Sequence, residues 1–224
     1  MRFSLLGSAA TALALALPAI AMAQRTDAPT RGRWAFGLTL GASSFSGATE
    51  GTGPAGEPVA FAPYRPTMWG IAVAYGGNGL RAGLSLEHGQ PGIGFRGVPP
   101  TSSGETLPGL LIVAENAFKL TTMTASLSER LLRLRGGPFL RPSLGLVVER
   151  WSAPGSPVRT IGGAQAGLAV EVMVTRTVAA ELGGELGLTP SSPFRKADLP
   201  EGFRQRSTWR KTLAIGLAWR PGKG

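Results

Sequence analysis

The sequence predicts an all-β chain, an eight-stranded antiparallel up-and-down transmembrane β-barrel, and three observations carry that prediction. Apolar residues alternate with small or polar ones at period two in segment after segment. The connections between these segments alternate short and long. Past the N-terminal leader, Gly, Arg, Glu or Pro interrupts every apolar run before it reaches the length of a membrane helix.

Composition sets the outer limits. The 224 residues suffice for one sizeable domain. With no Cys there is no disulfide, no thiolate metal site and no Cys nucleophile. The 33 Gly and 18 Pro approach the level of disordered chains, yet 43% hydrophobic residues is too many for a chain that buries no surface. Glycine and proline must therefore occupy particular places.

Residues 1–23 read as a secretory signal peptide. Arg2 supplies the positive start, Leu5 to Ala21 the uncharged core, and Ala21-Met22-Ala23 the small-x-small cleavage site. The stretch is short for a spanning anchor. Losing Arg2 lowers the formal charge from +10 to +9, a basic balance suited to anionic lipid or a polyanion surface. Nucleic acid is excluded as a partner by export. Residues 24–32 form a periplasmic lead-in, 33–220 the barrel and 221–224 a short tail.

The strands follow in order. Trp34, Phe36, Leu38, Leu40 and Ala42 oppose Ala35, Gly37, Thr39, Gly41 and Ser43. Trp69, Ile71, Val73 and Tyr75 oppose Gly70, Ala72 and Ala74; after the hairpin turn at Gly76 to Gly79, Leu80, Ala82, Leu84 and Leu86 oppose Arg81, Gly83, Ser85 and Glu87. From Gly109 to Leu134 we read one long strand, with a helix from Leu120 to Arg135 as its competitor because Leu127, Leu131 and Leu134 also fit helical spacing. Leu140 to Glu149, Ala164 to Val172, Val178 to Leu188 and Thr208 to Trp219 complete the eight.

Short turns fall at 76–79, 135–138 and 175–177, whereas the Gly/Pro/Ser-rich stretches 44–66, 89–108 and 189–206, with a shorter one at 152–158, lie at the opposite end. Of the 18 prolines only Pro142 falls inside a strand so drawn. It removes a ladder hydrogen bond from a sheet without edges, so a bulge or irregularity is expected there.

A spanning sheet must be closed with its apolar face outward. The charged set Arg81, Glu87, Arg141, Glu149, Glu171, Glu181, Glu185 and Arg210 then points into the lumen. A soluble barrel of opposite polarity would instead place it on a solvated exterior. Two features favour the membrane: glycines share the charged face, leaving room for long side chains in a narrow barrel, and outward aromatics gather at strand ends. Trp34, Tyr75 and Trp219 mark the short-turn end, Trp69 and Trp209 the long-loop end, as two interfacial girdles require. His88, Arg150 and Lys211 point outward near the loop end; with Arg195, Lys196, Arg204 and Arg206 they are candidate contacts for lipid phosphates, including those of lipopolysaccharide, or else a solvated rim.

In the lumen Arg81 and Arg141 are expected near Glu171 and Glu181, and Arg210 near Glu149 and Glu87, forming a paired plug because buried charges must be compensated. An ion or proton path along the same residues is the functional alternative. Other chemistry is thin. Gly51-Thr52-Gly53-Pro54-Ala55-Gly56 matches a phosphate-cradling glycine pattern, but no helix follows and Pro54 removes an amide. His88, the only His, leaves no transition-metal site and no cofactor is implied. A lipid A hydrolase or acyltransferase would need Ser152 and Glu149 to reach that His.

The alternation, the turn pattern and the last strand, Leu213-Ala214-Ile215-Gly216-Leu217-Ala218-Trp219, together resemble the small outer-membrane β-barrel superfamily that includes the OmpA membrane domain and OmpX-like proteins. The resemblance covers nearly all of the mature chain. It implies recognition of the terminal strand by the outer-membrane barrel assembly machinery, although Arg220-Pro221-Gly222-Lys223-Gly224 follows the final aromatic and departs from the pattern. It also implies a non-enzymatic structural or adhesive role through surface loops, with a narrow channel as the alternative and a lipid A-modifying enzyme as a third.

Overall fold

The structure is a computed structural model and describes residues 33–52, 56, 58–77, 79–97, 109–133 and 138–221. The leader and lead-in, most of the 135–138 turn, residues 222–224 and much of the Gly51 to Gly56 motif lie outside the described residues.

Among the described residues twelve strands form in chain order: β1 (Arg33–Thr52), β2 (Pro58–Tyr64), β3 (Thr67–Gly76), β4 (Leu80–Gly89), β5 (Gly92–Gly97), β6 (Gly109–Ala114), β7 (Lys119–Glu129), β8 (Leu132–Arg133), β9 (Phe139–Ser152), β10 (Arg159–Met173), β11 (Val178–Thr189) and β12 (Arg204–Trp219). Eight of them, β1, β3, β4, β7, β9, β10, β11 and β12, make the barrel, each antiparallel to its neighbours, and β12 returns to pair with β1. Closure leaves the barrel wall without an edge, which a sheet in hydrocarbon requires.

The register can be followed round the wall. From Trp219 it runs through Phe36, Val73, Leu84, Ala125, Leu146, Ala164 and Leu188 and re-enters β12 at Trp209, ten residues up the strand. With about 3.3 Å per residue and about 4.8 Å between strands, that stagger over eight strands tilts them by about 40° to the axis.

The 109–134 segment differs from the single strand expected. It divides into β6, β7 and the two-residue β8, of which β7 is a barrel strand and β8 continues its pairing with β9; the described residues 120–133 hold no helix, against the helical competitor. The continuous apolar run Leu110 to Val113 had no period of its own, and β6 pairs instead with β5. Two of the long connections also hold more structure than their composition suggested. β1 continues to Thr52, and β2, β5 and β6 form a side sheet attached to its end through Gly51↔Val59 and Thr52↔Pro58. Pro142 is thus not the only strand proline, since Pro58 and Pro63 lie in β2.

Pro142 does disturb its seam. β7 pairs with β9 up to Ser128↔Ser143, and β8 resumes at Leu132↔Leu140, so three intervening residues on one strand face two on the other. The Leu131 N–H donates to the Leu140 carbonyl on this side at 3.0 Å. Pro142, two residues along, faces the same way, and its missing donor falls inside the irregularity. A second register shift lies in β1 between Gly47 and Thr49. Gly47 and Ala48 there have φ of 82° and 67°, and a Cβ on Gly47 would sit 2.2 Å from the Ser207 carbonyl oxygen.

The outer wall is apolar and exposed, Leu146 at 70% and Leu38 and Leu213 at 64%. A Leu84→Arg exchange at mid-height of this wall should therefore cost about 2–4 kcal/mol in denaturant unfolding of the lipid-inserted protein. A change within about 0.5 kcal/mol, the usual effect at a solvated surface site, would show that this face meets water.

Candidate functional site in the barrel lumen

Period two sends one residue in two inward, and inside the barrel the charged ones collect in two separated layers. The lower layer, at the short-turn end, centres on Glu171 of β10, which is fully buried. Arg141 donates from Nη2 to Glu171 Oε2 at 3.0 Å and from Nη1 to Ser128 Oγ at 3.4 Å. Arg81 Nη1 reaches the same carboxylate at 3.5 Å, and Arg130 and Arg220 also donate to it. Arg130 lies over the Phe139 ring, 3.9 Å from its centroid, and Arg220 approaches Met173 Sδ at 3.2 Å. One carboxylate therefore serves four guanidiniums, and the Nε atoms of Arg130, Arg141 and Arg220 have no hydrogen-bond partner. Glu181 is on the inward face of the adjacent strand β11, paired in register with Glu171, but forms no ion pair among the described residues.

The upper layer centres on Arg210 of β12. Its Nη1 donates to Thr122 Oγ1 at 2.8 Å and its Nη2 to Gln165 Oε1 at 2.9 Å. Nη1 is also 3.7 Å from Glu149 Oε1 and 4.0 Å from Glu87 Oε2. Trp151 Nε1 donates to Glu149 Oε2 at 3.1 Å, fixing the orientation of that carboxylate. Glu87 folds over Gly70, where a Cβ would come within 2.9 Å of Glu87 Cγ. Glu185 is also in this part of β11, with Oε2 buried and without a hydrogen-bond partner.

Above the upper layer the lumen turns apolar. Phe45, Met68, Leu120, Trp151 and Ile161 form a buried cluster, with Phe118 packed against it. Phe118 also meets Phe194 edge-on at 5.6 Å, joining this cluster to a second one of Ala48, Ala62 and Phe194 under the side sheet.

Sequence reading missed Arg130, Arg220 and this cap. Arg220 continues the inward parity of Gly216 and Ala218, and Arg130 that of Ser126 and Ser128, but both lie past the ends of the regular strands. Trp151, 2% exposed, shares the inward parity of Glu149 and was the one Trp on the charged face. Period alone was the signal in each case.

The outward residues have different settings. Trp34 and Tyr75 stack with centroids 4.9 Å apart, and Phe36 lies 5.9 Å from Trp219, so the short-turn girdle is continuous across three strands. Trp69 meets His88 at 5.8 Å, and Trp209 is exposed in the same upper region. His88 Nδ1 is 3.3 Å from Thr121 Oγ1, and Arg150 is beside Thr121 in register. Lys211 and Lys196 are exposed, Lys196 in a one-turn 3-10 helix (Lys196–Asp198) that Arg195 precedes. Arg206 pairs with Glu50 on the rim, and Arg204 opens β12 rather than ending a loop.

The nucleophile arrangement is not formed. Glu149 faces the lumen, bound to Trp151 and Arg210, while His88 faces outward beside Trp69, so the barrel wall separates them. Among the described residues no group of three His, Cys, Asp or Glu side chains converges to hold a metal ion.

No protein-family model matches the chain, and no curated protein matches it. Solved structures do. The outer membrane protein AlkL, determined by solid-state NMR in DMPC lipid bilayers, is similar with a TM-score of 0.54 at 7% identity, covering 89% of this chain and 95% of its own. Neisserial surface protein A gives 0.47 at 16% identity, covering 83% and 97%. Ail, the attachment invasion locus protein of Yersinia pestis, in complex with the heparin analogue sucrose octasulfate, gives 0.44 at 12%, covering 86% and 100%. The fold is that of the small outer-membrane eight-stranded barrels.

An Arg210→Met exchange strands Glu149 without its cation in a site 2% exposed, and should cost about 3–5 kcal/mol of unfolding free energy. Arg206→Met on the exposed rim should cost no more than about 1 kcal/mol. Equal costs for the two would mean that the lumen layer is open to solvent.

Proposed function

We propose that this chain is an exported, integral outer-membrane barrel of the cell envelope, non-enzymatic, whose structural or adhesive work is done by the long-loop end while the lumen stays closed to free diffusion. The observation that carries this reading is the inversion of the barrel. Large apolar side chains are exposed all round the outer wall, and the charges sit inside, with Glu171 and Arg210 at the centres of the paired groups. That arrangement is stable where hydrocarbon replaces water outside.

The closed lumen follows from the two ends. Four arginines cross the short-turn end on one carboxylate, and an aromatic and aliphatic cap closes the loop end. A narrow channel is the second reading, favoured by the small residues between the two layers, and it requires one end to move. With Glu149 and His88 on opposite sides of the wall, the hydrolase reading lacks its carboxylate.

Two partners belong to this proposal. The last strand, ending at Trp219, is the segment the barrel assembly machinery would read. Outer-leaflet lipid phosphates, those of lipopolysaccharide among them, would meet the cations at the upper edge of the apolar wall. His88, Thr121 and Arg150 stand side by side on three adjacent strands with Trp69 at one end, a row of donors next to an aromatic face. Lys211 lies on the other side of the barrel, and Arg195 and Lys196 extend the basic rim.

Heat-modifiable migration from an outer-membrane fraction tests closure and location together; the folded form should run ahead of the boiled one, and the purified protein should be silent in planar bilayers. A freely soluble mature chain would overturn the proposal, whereas ohmic steps would move it to the channel reading. Replacing Arg150 and Lys211 together by Ala should weaken lipopolysaccharide binding by about thirtyfold at low salt, about 1 kcal/mol per charge, and unchanged binding would remove these residues from the lipid contact.

A further inference from the structure

We infer that the barrel encloses a polar chamber between its two charged layers, and that Glu171 is the latch that holds the short-turn end of this chamber shut against small anionic solutes. The inference rests on the closed, membrane-inserted barrel proposed above and adds a compartment to it.

The chamber follows from which inward residues are covered. In the lower layer Arg81, Arg141 and Glu171 are buried, and in the upper layer Thr122, Glu149 and Arg210 are buried. Between them Thr39, Ser85, Ser126, Ser143, Ala169 and Gly216 share the inward parity of their strands, yet each remains partly exposed. These residues are on the inner wall of a closed barrel, and none of their side chains is long enough to cross it. An eight-stranded barrel is just wide enough for ordinary side chains to fill it. Here the wall carries nothing longer than a hydroxyl or methyl group over about four residues per strand, roughly 10 Å along the axis at the strand rise and tilt above. A wall so lined leaves space on the axis, bordered by hydroxyl groups and by Glu185, whose Cγ comes within 3.4 Å of a Cβ placed on Gly167.

The two closures differ in kind. The upper one is thick, with the Arg210 network backed by the apolar cluster around Trp151. Among the described residues the lower one is a single ionic layer. Two of its four guanidiniums come from strands, Arg81 in β4 and Arg141 in β9; the other two, Arg130 and Arg220, reach in from residues just beyond β7 and β12. What holds all four in one cross-section is the shared carboxylate. Arg141 is nine-tenths buried with its Nε unpartnered, so this layer has more donors than it has acceptors. If the charge on Glu171 is removed, four like charges confront one another across a narrow mouth with Glu181, in register with Glu171 and ion-paired to none of them among the described residues, as a neighbouring carboxylate on the inward face. The arms from outside the strands are the ones free to withdraw. The mouth that results is lined by cations and concentrates anions.

Because the chain has no Cys, one introduced thiol reports on the chamber without background. Ser126→Cys places it in the mid-lumen belt, in a position where the native side chain is already small. The probes are an anionic and a cationic methanethiosulfonate of similar size, applied to the folded, heat-modifiable form in detergent micelles so that both mouths are available. With Glu171 intact, both reagents should label far more slowly than they label the urea-unfolded chain. In the Glu171→Gln background the anionic reagent should accelerate by about tenfold or more and outpace the cationic one. Rapid labelling with Glu171 intact would overturn the closed chamber; no acceleration in Glu171→Gln, or preference for the cation, would overturn the latch. Should Glu171→Gln fail to give the heat-modifiable form, Arg220→Gln withdraws a single arm and must accelerate labelling as well, to a smaller extent. Absence of any effect there overturns the latch equally. Heat modification reads barrel closure separately from labelling, so failure of the chamber leaves the outer-membrane assignment standing and failure of that assignment shows itself first.

Discussion

A backbone N–H or C=O that enters hydrocarbon without a partner costs several kcal/mol, and lipid has no partner to give. Everything else in this molecule follows from that constraint. The sheet must close, so β12 must find β1, and it does so over a long register from Phe36↔Trp219 to Glu50↔Arg204. Closure with a ten-residue stagger fixes the strand tilt, and the tilt fixes the width of the lumen. Period two then divides every strand between two solvents. Leu38, Leu84, Leu146 and Ile215 go to the outer wall, where a soluble barrel would carry its charges.

The inner face has the opposite problem. A carboxylate or guanidinium inside a narrow barrel has lost most of its water and persists only with partners. The chain meets this by concentrating its charges rather than spreading them. Glu171 gathers four arginines from four parts of the sequence, and Arg210 gathers Thr122, Gln165 and two carboxylates. Glycines on the inward face are expected to make room for long side chains. Gly70 does so beneath Glu87, Gly167 beside Glu185 and Gly187 beside Arg210, while the rest of the small belt lies between the layers.

The eight barrel strands, their order and the separation of short turns from long connections were legible because membrane strands must obey one period over their whole length. Seven had clear alternation. The eighth, β7, was recognised as a strand but overextended, because Leu110 to Val113 is apolar at every position and period has nothing to say about such a run. The side sheet was hidden for a different reason. Its strands are rich in Gly and Pro, which composition reads as loop, and β2 tolerates Pro58 and Pro63 outside the barrel wall. Arg130 and Arg220 were invisible as lumen residues because each lies past the end of a regular strand, where parity is no longer a safe guide. The Pro142 irregularity was legible because a missing donor in an edgeless sheet has to be absorbed locally.

The two ends of the barrel are built on different forces, and this bears on what the loops can do. At the short-turn end the closure among the described residues is ionic and thin. At the loop end, apolar packing begins inside the lumen at Trp151 and Phe45, passes through Phe118 to Phe194, and ends beneath Phe61 and the side sheet. Thr49 ties the two parts together, its hydroxyl donating to the Phe61 carbonyl at 2.9 Å and accepting from the Phe61 N–H at 2.7 Å. The left-handed backbone at Gly47 and Ala48 places Thr49 there, and Ala48 is itself fully buried in the second cluster. The described parts of the long connections are therefore not hung freely from the strands. Part of the surface they present is set by side chains within the barrel, so a binding surface at this end would be shaped by the lumen as much as by the loops' own sequence.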